Sequence, residues 1–369
     1  PHFSEHAAST HPGRRVLATT LDPRLQRLVE SRTADYLASR RERGLRNAAV
    51  LLLDAETMEV RASLGSADWS DAAISGQVDG TRAKRSPGSA LKPFVYALAF
   101  DQGLAHPATV LKDAPTSFGG YDPENFERDF AGPVTAREAL VRSRNVPAVS
   151  LASRLNAPGL RGLLARGGVV DLKSEEHYGL SLVLGGGEVT MAELAGLYAA
   201  LANGGLHRPL RTLRDGRRDW VRESLPVAFK TGTSYGYRDA WAVGVFGRWV
   251  AAVWVGEFDG AGNPAFIGVE AAAPLLLRVF DAMRGAGVPL APESPWSPSR
   301  LERVAVCALS GALPGPHCRH RAETWYIPGR SPFSPCDVHR EVLVDRRSGL
   351  RACPGAEGSE ARVYEFWPS

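Results

Sequence analysis

The sequence predicts an α/β (α+β) fold in which an antiparallel sheet is flanked by helices. Apolar stretches at 226–229, 241–246 and 250–255 follow one another with short turns between them, as antiparallel strands do. An earlier pair of apolar stretches, 48–54 and 58–64, is also joined by a short turn. Apolar residues with helical spacing lie before and after these stretches, and they supply the covering layers.

The helices are predicted from periodicity and end signals. A capping-box pattern at Thr190 begins a helix that ends before Gly204, and residues 263–285 form a closing helix packed on the sheet. Residues 105–132, rich in Pro, Gly and Asp, are expected to be a loop. In residues 22–43 one helix face carries Leu25, Leu28, Val29 and Leu37.

A Ser-x-x-Lys motif, Ser89 to Lys92, follows the helix-start signal Ser-Pro-Gly at 86–88 and opens an apolar helical run. Ser89 is therefore expected at a helix N-terminus, where unpaired N–H groups stabilise negative charge. Lys92 then lies one turn later on the same face. A serine needs a base to become a nucleophile, and a lysine can act as one when burial or a second cation destabilises its ammonium. The alternative is a capping serine followed by a solvated lysine.

A second motif, Ser143-Arg144-Asn145, follows a helix that begins at Thr135, and Pro147 limits its continuation. A hydroxyl and a carboxamide at such a break can pass a proton to a leaving amine and hold a substrate carbonyl. Taken alone, the same residues are also common at an ordinary helix terminus.

The third motif is Lys230-Thr231-Gly232-Thr233, which continues the strand predicted at 226–229. A glycine inside a strand indicates close approach of another backbone or a ligand, so Gly232 predicts a strand edge along which a peptide can pair. Lys230 supplies a cation, and Thr231 and Thr233 supply hydroxyls. The backbone N–H groups of Thr233 and Ser89 are candidates for holding an oxyanion. The alternative is a surface turn with a single lysine.

In this order the three motifs, with the Gly-rich segment 184–190 and the segment 198–205, resemble the transpeptidase domain of class A penicillin-binding proteins. The resemblance spans about residues 17–285. Segments of the Cys-containing tail are similar to the 1C type of that family, namely 325–329, 336–340 and 344–352.

This resemblance implies a penicillin-binding/serine β-lactamase-like transpeptidase fold and a D,D-transpeptidase activity. Ser89 would be acylated by a D-Ala-D-Ala stem peptide, with Lys92 as base and Ser143 as proton relay. An amine of a neighbouring stem peptide would then attack the acyl-enzyme and cross-link the peptidoglycan, while β-lactams would trap it. The substrate-binding residues would be Asn145, Lys230, Thr231, Gly232 and Thr233.

Two other functions stay open. A β-lactamase is disfavoured, because no Glu-x-x-x-Asn pattern follows Asn145 to activate a water that would deacylate the enzyme. The first open function is a D-Ala-D-Ala carboxypeptidase, the nearest alternative to a transpeptidase. A non-catalytic β-lactam-binding or scaffold module is the other.

The domains are predicted as an interdomain linker at 1–16, the transpeptidase domain at 17–286, a Pro-rich linker at 287–298 and a small, truncated C-terminal module at 299–369. The resemblance implies that the full-length protein is periplasmic. A preceding segment, absent from this sequence, would attach it to the inner membrane and carry a glycosyltransferase domain. This sequence itself has no apolar run of the roughly twenty residues that a membrane helix needs.

Composition excludes little. Of the 369 residues 44% are hydrophobic, and the formal net charge is +4 with arginines spread along the chain. A mild and dispersed charge gives nucleic-acid binding little support. No cofactor is expected.

All four cysteines, Cys307, Cys318, Cys336 and Cys353, fall in the C-terminal module. This distribution is typical of disulfides that staple a small module in an oxidising compartment, and disulfides with no metal are predicted. The alternative is a metal site formed by Cys336 and His339 with two other cysteines. The module is also a candidate surface for cell-wall protein partners.

Overall fold

The structure is a computed structural model that describes residues 1–213, 227–289 and 300–367. The chain folds into two compact units, Pro1–Phe94 with Ala157–Ser297, and Val95–Asn156 with Pro298–Ser369. The described helices, numbered along the chain, are α1 His2–Thr10, α2 Pro23–Arg40, α3 Lys92–Asp101, α4 Ala136–Val141, α5 Asn145–Ala152, α6 Gly159–Arg166, α7 Glu175–Tyr178, α8 Met191–Ala202 and α9 Ala273–Gly285. The described strands are β1 Ala48–Asp54, β2 Glu59–Leu64, β3 Val110–Asp113, β4 Gly132–Thr135, β5 Val227–Thr233, β6 Asp239–Phe246, β7 Trp249–Gly256, β8 Glu302–Cys307, β9 Arg321–Tyr326, β10 His339–Asp345 and β11 Ser359–Glu365.

The first unit is built on a five-stranded sheet with the strand order β2-β1-β7-β6-β5. Every neighbouring pair is antiparallel, so the predicted fold class is confirmed. All residues of β7, the middle strand, and of its neighbour β1 are buried. β5 is an edge strand and continues to Thr233, so the third motif lies within it. Pro226, where this strand was predicted to begin, lies outside the described residues.

Helices cover the two faces of this sheet. Because side chains alternate along a strand, Val50 and Leu52 point to one face, where they join the apolar cluster of α2 and α9 that contains Phe280. Helix α8 packs against β1, β6 and β7. Trp241, Trp249 and Trp254 are almost completely buried, and at about 25 cal/mol per Å² such large side chains each contribute strongly to the core.

The helix predictions hold with local changes. Asp22 caps α2 by accepting the N–H of Arg24 at 2.9 Å, and the capping box of Thr190 is present at α8. The closing helix begins only at Ala273, after a π-helical turn at Gly268–Ala272. The carboxamide of Asn263 accepts the N–H of Ala265 in a turn, which prevents a helix from starting there.

Residues 2–10, predicted as part of a linker, form α1. Phe3 and Ala7 lie one turn apart on this helix and are buried, which gives the segment an apolar face. In the described residues, no helix has the length and apolar character to cross a membrane.

The second unit contains a strand pair inside the segment predicted as a loop. β3 pairs with β4, and Leu111 lies opposite Val134. Residues 105–132 are therefore not entirely loop, and the pairing of such short strands depends on contacts that periodicity does not show. The predicted linker 287–298 lies outside the described residues from Leu290 onward, and the domain boundaries remain predictions.

The C-terminal part of this unit consists of two antiparallel strand pairs, β8 with β9 and β10 with β11. The four cysteines expected to form disulfides are all free in the structure. The physical reason is spatial, because three of the sulfurs surround His339 instead of bonding in pairs.

Candidate active site

Ser89 lies in a short 3₁₀ turn, Gly88–Leu91, that leads directly into α3 at Lys92. This placement confirms the expected helix start, and the spacing puts Ser89 and Lys92 on the same side of the turn. Ser89 is partly exposed, whereas Lys92 is fully buried. The Lys92 side chain is therefore held in the interior directly after the turn that carries Ser89.

Hydrogen bonds fix the Ser89 turn from several sides. The hydroxyl of Ser86 donates to the Gly185 carbonyl at 2.7 Å, and the indole N–H of Trp241 donates to the Ser86 carbonyl at 2.9 Å. The Tyr198 hydroxyl donates to the carbonyl of Ala90 at 2.8 Å. Burial raises the pKa of Tyr198, so its phenol stays protonated and acts as a donor.

Glycines allow the Ser89 turn to touch strand β5. A Cβ atom on Gly232 would lie 2.1 Å from the Pro87 carbonyl oxygen, and one on Gly88 would lie 2.4 Å from the Thr233 carbonyl oxygen. Gly88 also has a φ of +52°, which disfavours other residues. The close approach predicted from Gly232 is therefore made by another backbone of the same chain.

Lys230 lies within this contact region. Its side chain is buried and donates to the Thr231 carbonyl at 3.0 Å. Desolvation lowers the pKa of Lys230 to about 8. The structure thus brings a second buried lysine to the strand that contacts the Ser89 turn.

The end of β5 is held by residues that the sequence did not single out. Thr233 Oγ1 accepts the N–H of Gly268 at 2.9 Å, so its hydroxyl hydrogen points away from Gly268. The buried carboxylate of Asp239 accepts from the Ser234 hydroxyl at 2.8 Å and from the Trp254 indole N–H at 3.0 Å. Asp239 follows Ser234 by five residues, a spacing that corresponds to no known motif. Only the folded turn brings these two side chains together.

The second motif lies in the second unit. Ser143 has a φ of +58° and joins α4 to α5. This confirms the predicted helix break. The Asn145 side chain donates to the Glu124 carbonyl at 2.6 Å, and its backbone N–H donates to the Asn125 carboxamide at 2.7 Å.

Arg144, between Ser143 and Asn145, has a structural role that sequence reasoning missed. Its guanidinium is buried and donates to Asp113 at 2.7 Å and to Asp129 at 2.8 Å. The Asp113 carboxylate also accepts from Asn125 at 2.8 Å and from the Ala131 backbone N–H at 2.9 Å. This network fixes the backbone around Ser143 and Asn145.

In the first unit, the structure brings together the residues of the first and third motifs. In that unit the Ser89 turn, the buried Lys92 and strand β5 with Lys230, Thr231, Gly232 and Thr233 are packed around one backbone contact. A serine hydroxyl, two buried lysine side chains and the edge strand of a sheet are the parts that acyl transfer on a peptide needs.

Comparison with known proteins agrees with this chemistry. Residues 48–222 match the family model of the penicillin binding protein transpeptidase domain, a range that contains Ser89 and ends before Lys230. Residues 297–341 match the model of the penicillin-binding protein 1A C-terminal domain. The match at 48–222 falls within the range of the predicted resemblance.

Among curated proteins, penicillin-binding protein 1C of Escherichia coli (strain K12) is 37% identical over 95% of this chain and 50% of its own length. Penicillin-binding protein 1B of Vibrio cholerae is 29% identical over 75% of this chain and 41% of its own length. The chain therefore spans half or less of the length of these relatives.

Solved structures show the same fold. The penicillin-binding protein PonA1 from Mycobacterium tuberculosis in complex with penicillin V superposes with a TM-score of 0.63 at 22% identity, covering 79% of this chain and 90% of that one. Penicillin-binding protein 1A from Haemophilus influenzae gives a TM-score of 0.63 at 19% identity, covering 78% of this chain and 54% of that one. Together with the site geometry, these matches assign the chain to the class A penicillin-binding proteins, whose transpeptidase domain it contains.

Proposed function

We propose that this chain is a peptidoglycan D,D-transpeptidase in which Ser89 is the nucleophile. The observation that carries the proposal is the direct packing of the Ser89 turn against the edge strand that contains Lys230 and Gly232. A stem peptide that pairs with this edge would present its carbonyl beside the Ser89 hydroxyl. The carbonyl oxygen would then be held by the N–H groups of Ser89 and Thr233.

The reaction has two acyl transfers. Lys92 takes the proton of Ser89 as its Oγ attacks the carbonyl between the two D-alanines. The proton then passes to the amide nitrogen of the terminal D-alanine, which leaves as a free amine, and an ester to Ser89 remains. An amine of a second stem peptide then attacks this ester, the new amide cross-links the two peptides, and Ser89 regains its proton.

The remaining residues bind and orient the substrate. Lys230 tunes the charge of the cleft, and Thr231 and Thr233 contact the substrate carboxylate. Ser143 as proton relay and Asn145 as a ligand of the substrate amide remain predictions. A β-lactam would acylate Ser89 as the donor does.

Two comparisons extend the proposal to the whole protein. The curated relatives are about twice the length of this chain, which supports a further segment in the whole protein, and we propose that this segment carries a membrane anchor and a glycosyltransferase domain. The transpeptidase domain would then act in the periplasm on the inner membrane. A carboxypeptidase and a non-catalytic β-lactam-binding module are the alternatives.

Intact-protein mass after incubation with several β-lactams tests the nucleophile. We expect a stable adduct that maps to the peptide containing Ser89 and is absent in Ser89→Ala. Ser153→Ala is the matched control, because Ser153 is an exposed serine after α5 and should still be acylated. An adduct that persists in Ser89→Ala would contradict the assignment, and no adduct with any β-lactam would favour the scaffold alternative.

A D-Ala-D-Ala donor peptide, supplied with and without an acceptor amine, separates the two enzymatic functions. Cross-linked product in the presence of the amine is expected for a transpeptidase. Hydrolysis alone, unchanged by the amine, would identify a carboxypeptidase.

A further inference from the structure

Three cysteines and a histidine converge in the C-terminal part of the second unit. The four residues are Cys307 at the end of β8, Cys318 in the following loop, Cys336, and His339 at the start of β10. Their ligand atoms all lie within 4.8 Å of one another. Successive members of this cluster are 11, 18 and three positions apart in the sequence. Only the fold therefore brings all four to one point.

The distances around His339 are nearly equal. Its Nδ1 atom lies 3.5 Å from the sulfur of Cys307, 3.5 Å from that of Cys318 and 3.4 Å from that of Cys336. A tetrahedral Zn²⁺, with bonds of about 2.3 Å to sulfur and about 2.0 Å to nitrogen, separates a sulfur from the nitrogen by about 3.5 Å. The cluster already has the spacing that such an ion requires.

Hydrogen bonding among neutral groups does not account for this arrangement. A neutral imidazole has one acceptor nitrogen, and that nitrogen can accept from one thiol and not from three. A disulfide would bring two sulfurs to about 2.05 Å and leave the third thiol beside the imidazole. A cation shared by three thiolates and the imidazole satisfies all four groups.

The surrounding backbone holds the ligands in place. The Cys307 N–H donates to the Ala312 carbonyl at 2.8 Å, and the Cys336 N–H donates to the Leu313 carbonyl at 2.8 Å. The hydroxyl of Ser310 donates to the sulfur of Cys336 at 3.2 Å. Hydrogen bonds of this kind orient metal ligands and stabilise thiolates.

The C-terminal segment has few buried apolar side chains, so a bound metal ion could add to its stability. Of the described residues 300–367, the apolar side chains that are buried are Val306, Cys307, Cys318, Val338 and Val344. The segment therefore has little apolar core of its own beside its contacts with Val95–Asn156 in the same unit, and a bound metal would add to its stability. Two of these five buried residues belong to the cluster itself.

We propose that Cys307, Cys318, Cys336 and His339 bind one Zn²⁺ ion as a structural site. Three sulfurs and one nitrogen complete a tetrahedron, so no position is open for catalysis. The Cys336-x-x-His339 spacing forms one knuckle, and Cys307 and Cys318 approach it from the β8 side. This site is independent of the acyl-transfer chemistry proposed for Ser89.

Metal content tests the proposal directly. The whole chain is produced without a histidine tag, and zinc is measured by elemental mass spectrometry against protein concentration. We expect about one zinc per chain, lost in Cys307→Ser and in Cys336→Ser because each removes a thiolate ligand. Cys353→Ser is the matched control, since Cys353 is exposed and outside the cluster, and it should keep its zinc.

A second measurement starts from the wild-type chain, so that its main result does not depend on a variant that might misfold. Zinc in the wild-type chain is exchanged for Co²⁺, and the product should show thiolate-to-cobalt charge transfer and the intense visible bands of tetrahedral cobalt. Cys336→His, which keeps a ligand atom, should retain the metal with a weaker charge-transfer band. His320→Gln changes a neighbouring histidine outside the cluster and should leave the spectrum unaltered.

Three results would overturn the site. These are zinc far below stoichiometry in freshly purified protein, zinc retained in Cys307→Ser and Cys336→Ser, or an intact mass reduced by the two hydrogens that each disulfide removes. β-Lactam acylation of Ser89 is measured separately on the same samples. A sample that lacks zinc but is still acylated at Ser89 would leave the fold and the proposed transpeptidase activity uncontradicted.

Discussion

Gly232 and Pro87 are in direct backbone contact, so close that a Cβ atom on Gly232 would lie 2.1 Å from the Pro87 carbonyl oxygen. Gly232 belongs to the edge strand β5, and Pro87 belongs to the turn before Ser89. The contact therefore fixes the distance between the nucleophile and the strand proposed to bind the substrate.

Gly232→Ala should displace the Ser89 turn from β5. Because a misplacement of about 1 Å can cost on the order of a hundredfold in rate, we expect acylation by a fluorescent penicillin to slow by about that factor. Gly196→Ala is the control, since a Cβ there meets open space within α8. An unchanged acylation rate in Gly232→Ala would show that the contact does not position Ser89.

Stability should depend on pH through Lys230, whose pKa burial lowers to about 8. In the unfolded chain the lysine pKa is about 10.4, so between about pH 8 and 10.4 the unfolded state binds more protons. The free energy of unfolding therefore gains a contribution as pH rises through this window. Below about pH 8 the buried ammonium is a cost on the order of 3 kcal/mol.

Lys230→Met should remove that contribution. We expect the variant to be more stable than wild type at pH 7, with a difference that shrinks as the pH approaches 10, measured by urea unfolding. Lys173→Met, at an exposed lysine, should show no such trend. A pH-independent difference for Lys230→Met would mean that Lys230 is not desolvated as an ammonium.

Asp239 should stabilise the turn between β5 and β6. Asp239→Ala leaves the Ser234 hydroxyl and the Trp254 indole N–H buried without their acceptor, which at about 1–3 kcal/mol for each lost partner lowers the unfolding free energy by several kcal/mol. Thermal unfolding measures this loss. Asp259→Ala, at an exposed carboxylate, should change the midpoint little. Equal effects at the two positions would contradict the role of Asp239.

Arg144 should matter for stability, whereas Arg142 two residues earlier should not. Arg144→Met leaves the fully buried Asp113 carboxylate without its cation, and breaking such a pair costs about 3–5 kcal/mol. Arg142 makes an exposed i,i+4 pair with Glu138, so Arg142→Met should cost less than about 0.5 kcal/mol. Urea unfolding compares the two.

A double variant checks the cause of this effect. In Arg144→Met alone, the buried Asp113 carboxylate keeps its charge without a cation beside it. Adding Asp113→Asn removes that charge. We expect it to recover part of the lost stability. A double variant that is as unstable as the sum of the two single variants would contradict the charge explanation.

The family, the antiparallel sheet and the first and third motifs were predictable because each leaves a local pattern. Ser89 and Lys92 lie at a helix start that the preceding Ser-Pro-Gly at 86–88 predicts, and Gly232 interrupts an apolar strand. The β3–β4 pairing was missed because each of these strands has four residues, too few for a reliable period. Asp239 and Gly268 carry no motif, and their contacts exist only after the chain has folded.

The cysteines show where the structure departs from the sequence-based prediction, because none of the four forms a disulfide in the structure. Their restriction to the C-terminal part favoured disulfides, and the spacing of Cys307 and Cys318 did not resemble a zinc knuckle. The fold brings both to the pair Cys336 and His339, because β8, β10 and the loop between Cys307 and Cys318 share one small core.

The amino-acid sequence by itself determined which residues are chemically competent and which elements carry them, since helix starts, strand periods and glycine positions are local properties. Only the tertiary structure decided which of those residues meet. The contact of the Ser89 turn with β5, the burial that lowers the pKa of Lys230 and the convergence of three sulfurs on His339 all join residues far apart in the chain. Such contacts depend on packing in three dimensions, which no short stretch of sequence encodes.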